Sequence, residues 1–363
     1  MLLHALRWAH EHPAAQVEVA LLRGGPLVEE YRTLVDTSVQ RAYLGAGQQM
    51  GAAIRAIGLG RGAPVVPRLH VGRAGVVDVV VANTLASLAP AARLARRSAA
   101  RLVCWVHELD GVAQRLLPRA PSERATLLAA VDSYGAAGVH VAAMLVERLS
   151  VDPARVRVVE PFVVGRAPDA QEVAAARARL CAAGEVLVVA SGSLIRRKGP
   201  ERFVDLVREL RTHTAPLRAV WVGGDPSSVV GREMRSDIDR AGLGGTVDLV
   251  PAVPDVLPVL AAADVVVSTA IEDPYPLVTL EAAMSGATLA GFDSGGIGDV
   301  LRACGQGDAA VPIGDVLGLA TVVGRLIDEP VERQDRGRRV ADWVTGTHLV
   351  EHGAPRFWEL VLG

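Results

Sequence analysis

Three cations in a row, Arg196-Arg197-Lys198, stand before Gly199-Pro200, and Lys198 is the only lysine among the 38 Lys and Arg residues of the chain. A compact ammonium is a point charge that arginine's planar fork does not replace. Further on, Asp273 and Glu281 lie with seven residues between them in Ile271-Glu-Asp-Pro-Tyr-Pro-Leu-Val-Thr-Leu-Glu-Ala-Ala-Met-Ser-Gly286. Pro274 and Pro276 pin the start of this segment as a loop, and Leu277–Ser285 reads as a helix with Gly286 as its left-handed cap. The helix start at Pro276, Leu277 and Val278 offers backbone N–H groups and a positive dipole end. A carboxylate such as Glu281 can accept both hydroxyls of a ribose diol, and Asp273 can bind the hydroxyls of a sugar. Alone, the first motif reads as a solvated turn and the second as an acidic loop with a helix-dipole carboxylate. Together, cations for a diphosphate and a carboxylate for a ribose describe a nucleoside diphosphate site.

Both motifs need strands to bring them together. Apolar runs read as strands at Val17–Leu22, Val77–Ala82, Leu102–Val106, Val156–Val159, Val186–Ala190, Ala219–Val222, Val247–Val250, Val265–Ser268 and Thr288–Phe292. They are apolar nearly throughout, as strands buried on both faces should be. Amphipathic segments alternate with them, for example Phe203, Val207 and Leu210 on one helical face, so the class is α/β with parallel sheets covered by helices. Lys198 follows the strand Val186–Ala190 and Asp273 follows Val265–Ser268, which sends both to the carboxyl edge where open α/β sheets bind ligands.

The chain has 363 residues, too many for one ordinary core, and two domains are expected. The segment Gly165–Ala170 reads as the linker, before a helix at Gln171–Ala183. The division is residues 1–165 and 166–345, two Rossmann-like halves, and 346–363, a last helix over Ala354–Leu362 whose Phe357, Trp358, Leu360 and Val361 need a surface. One feature departs from a Rossmann-like half: the chain opens in a helix, Leu2–Ala9, ended by Pro13, so the first strand of the N-terminal domain is expected to be missing.

A net charge of -2 and 4% aromatic residues exclude a basic nucleic-acid surface and a base-stacking platform. Cys104, Cys181 and Cys304 are scattered thiols without metal-ligand or disulfide spacing, so no metal site is expected, and buried cysteines in a reducing compartment are. The apolar runs are too short or too interrupted to span a bilayer, and the N-terminus lacks a signal-peptide pattern; the expected location is cytoplasmic. Asp237-Ile-Asp239 reads as a solvated helix face, Arg96-Arg97 and Arg336–Arg339 as exposed helix faces, and the glycine-rich Gly58–Gly62 as a loop.

The series Gly192…Lys198-Gly199, Trp221-Val-Gly-Gly224, Ala263-Asp264-Val265, Asp273-x7-Glu281 and Gly295-Gly296 resembles retaining GT-B glycosyltransferases of the family-four, or group 1, type. Val103-Cys-Trp-Val-His107-Glu108-Leu109 resembles the strand that delivers a histidine in that family, Val79-Val-Val-Ala-Asn83-Thr84 fits its strand-Asn-Thr ending, and Arg155–Val163 resembles its exit strand. The resemblance implies two Rossmann-like domains facing across a cleft, residues 1–165 on the acceptor side and 166–345 holding the nucleotide-sugar donor, with the helix of 346–363 packing back on the first. It implies transfer of a sugar, with retention, from a nucleoside-diphosphate sugar to an acceptor hydroxyl on a glycan, lipid or small molecule, without metal or other cofactor. Arg197 and Lys198 would hold the donor diphosphate, Glu281 the ribose, Asp273 the donor sugar's hydroxyls and His107 the donor sugar. Gly192, Pro276, Leu277 and Val278 complete the expected donor contacts. The chain departs from the family at Asp273, a methylene shorter than glutamate, at Ser193, where arginine is common, and at Pro251, where glycine is common. Two other readings stay open: a GT-B nucleotide-sugar epimerase, for which no acid/base set is evident, and a non-catalytic protein that binds a nucleotide-sugar or a partner.

Overall fold

The computed structural model describes residues 1–12, 15–39, 77–211 and 216–363. The glycine-rich Gly58–Gly62 and Pro13 lie outside the described residues. The chain forms two units, Met1–Val159 with Ala354–Gly363, and Glu160–Gly353. The boundary falls before the segment Gly165–Ala170 because Val163 pairs within the second unit: its N–H donates to the His348 carbonyl at 2.9 Å, and its carbonyl accepts from Val350 N–H at 2.9 Å.

In the first unit, β1 (Glu18–Leu21) pairs in parallel with β2 (Asp36–Val39) as a two-stranded sheet. A separate parallel sheet holds β3 (Val79–Ala82), β4 (Arg101–Val106), β5 (Ser133–Ala136) and β6 (Val156–Val158) in that order. Among the described residues no strand joins the two sheets. The core of the larger sheet packs Leu88, Leu102, Cys104, Tyr134 and Leu145. The opening helix is Leu2–Glu11, and the last helix is Val350–Leu362. Within the first unit, Trp358 Nε1 donates to the Ala5 carbonyl at 2.9 Å, and the Phe357 ring lies 4.7 Å from that of Trp105.

The second unit has a six-stranded parallel sheet built from β7 (Val186–Ser191), β8 (Leu217–Val222), β9 (Val247–Val250), β10 (Val265–Ser268), β11 (Thr288–Phe292) and β12 (Ala310–Val311). Its spatial order is β12-β11-β10-β7-β8-β9. Counted from β9, this is the 3-2-1-4-5-6 order of the doubly wound fold, and the connections reverse direction between β7 and β10. The covering helices show why the sequence folds this way: the helix Pro200–Leu210 starts on Pro200 and buries Phe203, Val204, Leu206, Val207 and Leu210 along one face. Asp264, just before β10, locks the sheet by accepting from Leu187 N–H at 2.8 Å and from Arg177 at 2.6 Å.

Arg336 corrects an expectation. It is not on an exposed face but 7% exposed, because Asp308 and Glu332 meet its guanidinium at 2.8 Å each. Paired charges are what allow a guanidinium to be buried. Asp237 and Asp239 do sit on the helix Val229–Arg240, where Asp237 pairs with Arg240. Among the described residues no group of His, Cys, Asp and Glu could hold a metal ion, and no helix is long and apolar enough to cross a membrane.

Candidate functional site

The switch point between β7 and β10 positions the site in the second unit. Val265 lies opposite Val188 and Val266 opposite Val189, so the two strands run in register and end side by side. After β7 the chain turns through Gly192 and a short 3-10 turn, Arg196–Lys198. Gly199 then adopts a left-handed conformation, φ 66°, and starts the next helix. A Cβ on Gly199 would come 2.0 Å from the Thr269 carbonyl oxygen, so only glycine lets this turn press against the segment after β10. Thr269 Oγ1 donates to the Gly199 carbonyl at 2.9 Å, and Ile271 N–H donates to the Arg197 carbonyl at 2.9 Å.

The two motifs therefore meet, but partly through each other. The Lys198 ammonium is ion-paired with the Asp273 carboxylate, with side chains 17% and 8% exposed. The aliphatic stem of Lys198 lies over Gly192. Arg197 donates to the Glu272 carbonyl at 3.1 Å, which closes the cation turn onto the acidic loop. Arg196 points elsewhere, to Glu233 at 3.2 Å, with an exposed side chain. A small pocket beside the pair is lined by Ser191, Lys198, Thr269, Asp273, Pro276 and Val278.

The helix Leu277–Met284 begins at this pocket, with Pro276 before it. Leu277 is its first residue, and Glu281 lies a little over one turn in without lining the pocket. The Glu281 carboxyl is pushed above the usual carboxylate range by burial. Its oxygens make no hydrogen bond or ion pair among the described residues, which leaves a carboxyl free for a donor of hydrogen bonds.

On the far side, the acidic loop is held by the turn before the helix Gly296–Ala303. Asp273 N–H donates to the Ser294 carbonyl at 3.2 Å, and Gly296 N–H to the Pro274 carbonyl at 3.0 Å. The Ser294 hydroxyl is enclosed and has no hydrogen-bond partner. Sequence reasoning passed over Ser294 and Thr269. Their positions just after β11 and β10 are the signal, because residues at the carboxyl ends of parallel strands are the ones offered to a ligand.

His107 belongs to the first unit, at the end of β4, and its ring lies 4.4 Å from that of Trp105. Its Nε2 is enclosed without a hydrogen-bond partner, and burial lowers its pKa to about 3, so the imidazole is neutral at pH 7. Asn83, at the end of the neighbouring strand β3, has an enclosed and unpartnered Oδ1. Glu108 joins the two strand ends: its Oε2 accepts from His107 N–H at 3.0 Å and from Leu85 N–H at 3.3 Å. Burial raises the Glu108 carboxyl. Glu108 was not singled out from sequence, since nothing in one strand end tells that it braces another.

Residues 185–329 match the family model described as Glycosyl transferases group 1. The chain is similar in structure to Anabaena HepE in complex with UDP-glucose, 16% identical over 98% of this chain and 94% of that one, with a TM-score of 0.78. It is similar to sucrose-phosphate synthase from Thermosynechococcus elongatus, 20% identical over 99% and 90%, TM-score 0.72. It is also similar to WaaG, a glycosyltransferase involved in lipopolysaccharide biosynthesis, 14% identical over 99% and 94%, TM-score 0.68. At these identities the shared property is the fold. No curated protein sequence matches the chain. Residues 185–329 of the second unit are thus similar to the glycosyl transferases group 1 model, in a chain whose α/β fold of two units is shared with these glycosyltransferases.

Proposed function

We propose that the chain moves a sugar from a nucleoside-diphosphate sugar to an acceptor hydroxyl with retention of configuration. The observation that carries this is the meeting of Lys198, Arg197 and Asp273 at the switch point between β7 and β10, beside the start of the helix that bears Glu281. HepE, of the same fold, was solved with UDP-glucose, which supports a nucleotide-sugar as the ligand here.

In the chain alone, the Lys198 ammonium is held by the Asp273 carboxylate. A diphosphate is a stronger counter-charge, and it draws the ammonium to itself. That exchange frees Asp273 to accept hydrogen bonds from the donor sugar's hydroxyls. As the bond from the anomeric carbon to the diphosphate breaks, negative charge grows on the leaving oxygen, and Lys198 and Arg197 stabilise it where it develops. The departing phosphate takes the proton of the acceptor hydroxyl. Glu281 receives the ribose hydroxyls, and those hydrogen bonds favour its charged form against the burial that disfavours it. His107, neutral at pH 7, serves as a hydrogen-bond partner for a sugar hydroxyl rather than as a cation. Val278 lines the pocket, Gly192 lies under the Lys198 stem and Leu277 opens the helix, which supports their reading as donor contacts; no metal enters this scheme.

A panel of nucleoside-diphosphate sugars tested by thermal shift identifies the donor, because a ligand at a hundred times its Kd adds about 2.7 kcal/mol to apparent stability. Transfer is then read as release of the nucleoside diphosphate in the presence of candidate acceptors. Lys198→Ala is expected to abolish transfer and to weaken diphosphate binding. Unchanged turnover in that variant rejects the site assignment, and binding without transfer by the wild-type chain turns the reading to a nucleotide-sugar-binding protein.

A further inference from the structure

The loop that carries Asp273 is fastened at a second place that the site above does not use. Tyr275, 6% exposed, makes a hydrogen bond of 2.7 Å between its hydroxyl and Nε2 of His348, which is 1% exposed. The two rings stack at 5.5 Å with an interplanar angle of 19°. The Glu160 carboxylate approaches the same Nε2 at 3.3 Å, and Thr347 Oγ1 meets Nδ1 at 2.8 Å, so both imidazole nitrogens are engaged. His348 also contributes its backbone, for its carbonyl accepts from Val163 N–H at 2.9 Å.

These partners are not scattered. Glu160 and Val163 lie in the segment that opens the second unit, and His348 and Val350 lie in the segment that leads out of it. The two segments are bridged in parallel at Val163 and Leu349. The Tyr275 hydroxyl thus joins the acidic loop to His348 and, through His348, to both segments by which the chain passes between its units. A buried polar chain of this kind is costly unless each member is satisfied, and it defines one geometry when it is.

We propose that Tyr275 and His348 are positioning residues that latch the Asp273 loop to the two crossing segments and hold the Asp273 carboxylate in register for the donor sugar. This rests on the reading of Asp273 as a sugar-binding carboxylate, and the experiment separates the two. Tyr275→Phe removes one hydroxyl and keeps the ring packed against Gly296. Its amide hydrogen exchange is measured in the full chain, together with transfer kinetics and binding of the bare nucleoside diphosphate.

The expected result is exchange about tenfold faster over residues 271–276 and near Val163 and Leu349, as when a local opening is eased. For the nucleotide-sugar, kcat/KM falls about tenfold, since small misplacements of reacting groups are costly. Affinity for the bare diphosphate, which has to take Lys198 from Asp273, is not lowered. Unchanged exchange in Tyr275→Phe overturns the latch whatever the donor proves to be. Equal loss of diphosphate and nucleotide-sugar binding overturns the positioning role. The donor reading itself stands or falls separately, on Lys198→Ala.

Discussion

At the scale of single residues, the site is a set of groups whose environments set their charge. His107 gives the clearest test. Its imidazole is lowered by burial to about 3, against 6.5 for an ordinary histidine. Between those values the unfolded chain binds a proton that the folded chain refuses, so stability from the neutral imidazole is full above about pH 6.5 and is lost as the pH falls towards 3. Over the first unit and a half of acidification the loss is about 2 kcal/mol. His107→Gln keeps a neutral hydrogen-bonding side chain without this titration. We expect its stability to fall less than the wild type's between pH 6.5 and pH 5, measured as the denaturant midpoint at each pH. Parallel curves for the two proteins contradict a neutral, buried His107. His4, lowered to about 4 chiefly by burial, adds a slope of the same sign that both proteins share.

The residue scale also shows what one sequence makes legible. Lys198 and Asp273 were both evident from type and spacing, yet their pairing with each other was not. Spacing assigns each to a ligand, while the structure brings them within reach because β7 and β10 are neighbours despite the strands between them in sequence. Tyr275 and His348 were less legible still. A tyrosine in a proline-flanked loop and a histidine after a helix carry no joint signal, and only the packing of the crossing segments brings them together.

At the scale of elements, the donor site depends on a turn that admits no side chain. Gly199 and Gly286 both have left-handed φ, 66° and 81°, but their surroundings differ. A Cβ at Gly199 meets the Thr269 carbonyl at 2.0 Å, whereas a Cβ at Gly286 meets nothing within 4 Å. Gly286→Ala is therefore expected to cost only the conformational penalty, about 1 kcal/mol. Gly199→Ala carries that penalty plus displacement of the turn from the segment after β10. It is expected to lower the unfolding midpoint more and to weaken diphosphate binding, which Gly286→Ala leaves intact. Equal effects of the two substitutions on binding would show that Lys198 is not held by this turn. The strands that position the site were legible because Val186–Ser191 and Val265–Ser268 are short apolar runs of β-branched residues. β5 was not, since Ser133-Tyr-Gly-Ala has no β-branched residue and Gly135 has the Leu360 side chain where its own would stand. β2 and β12, short and partly polar or only two residues long, gave no period to read.

At the scale of the whole chain, the two units have separate cores, and the last helix belongs partly to the first. Residues Ala354–Gly363 count with Met1–Val159, so the first unit is completed by the end of the chain. The link is specific: Phe357 is 1% exposed, Arg101 donates to the Leu360 and Val361 carbonyls at 3.0 Å each, and Trp358 donates to Ala5. The aromatic pair at the chain end was legible in sequence as a face that needs a surface; its acceptors were not, because they are backbone carbonyls far away in sequence. Phe357→Ala removes a buried ring and leaves a cavity, at a cost of about 3–5 kcal/mol. Because the cores are distinct clusters, that cost is expected to fall on the first unit alone. In calorimetry the variant should show the first unit's transition moved to lower temperature, while the second unit's transition keeps its position and its upward shift with a nucleoside diphosphate. If Phe357→Ala instead lowers one common transition and abolishes the nucleotide-induced shift, the two units fold as one cooperative body and the donor site depends on the chain end.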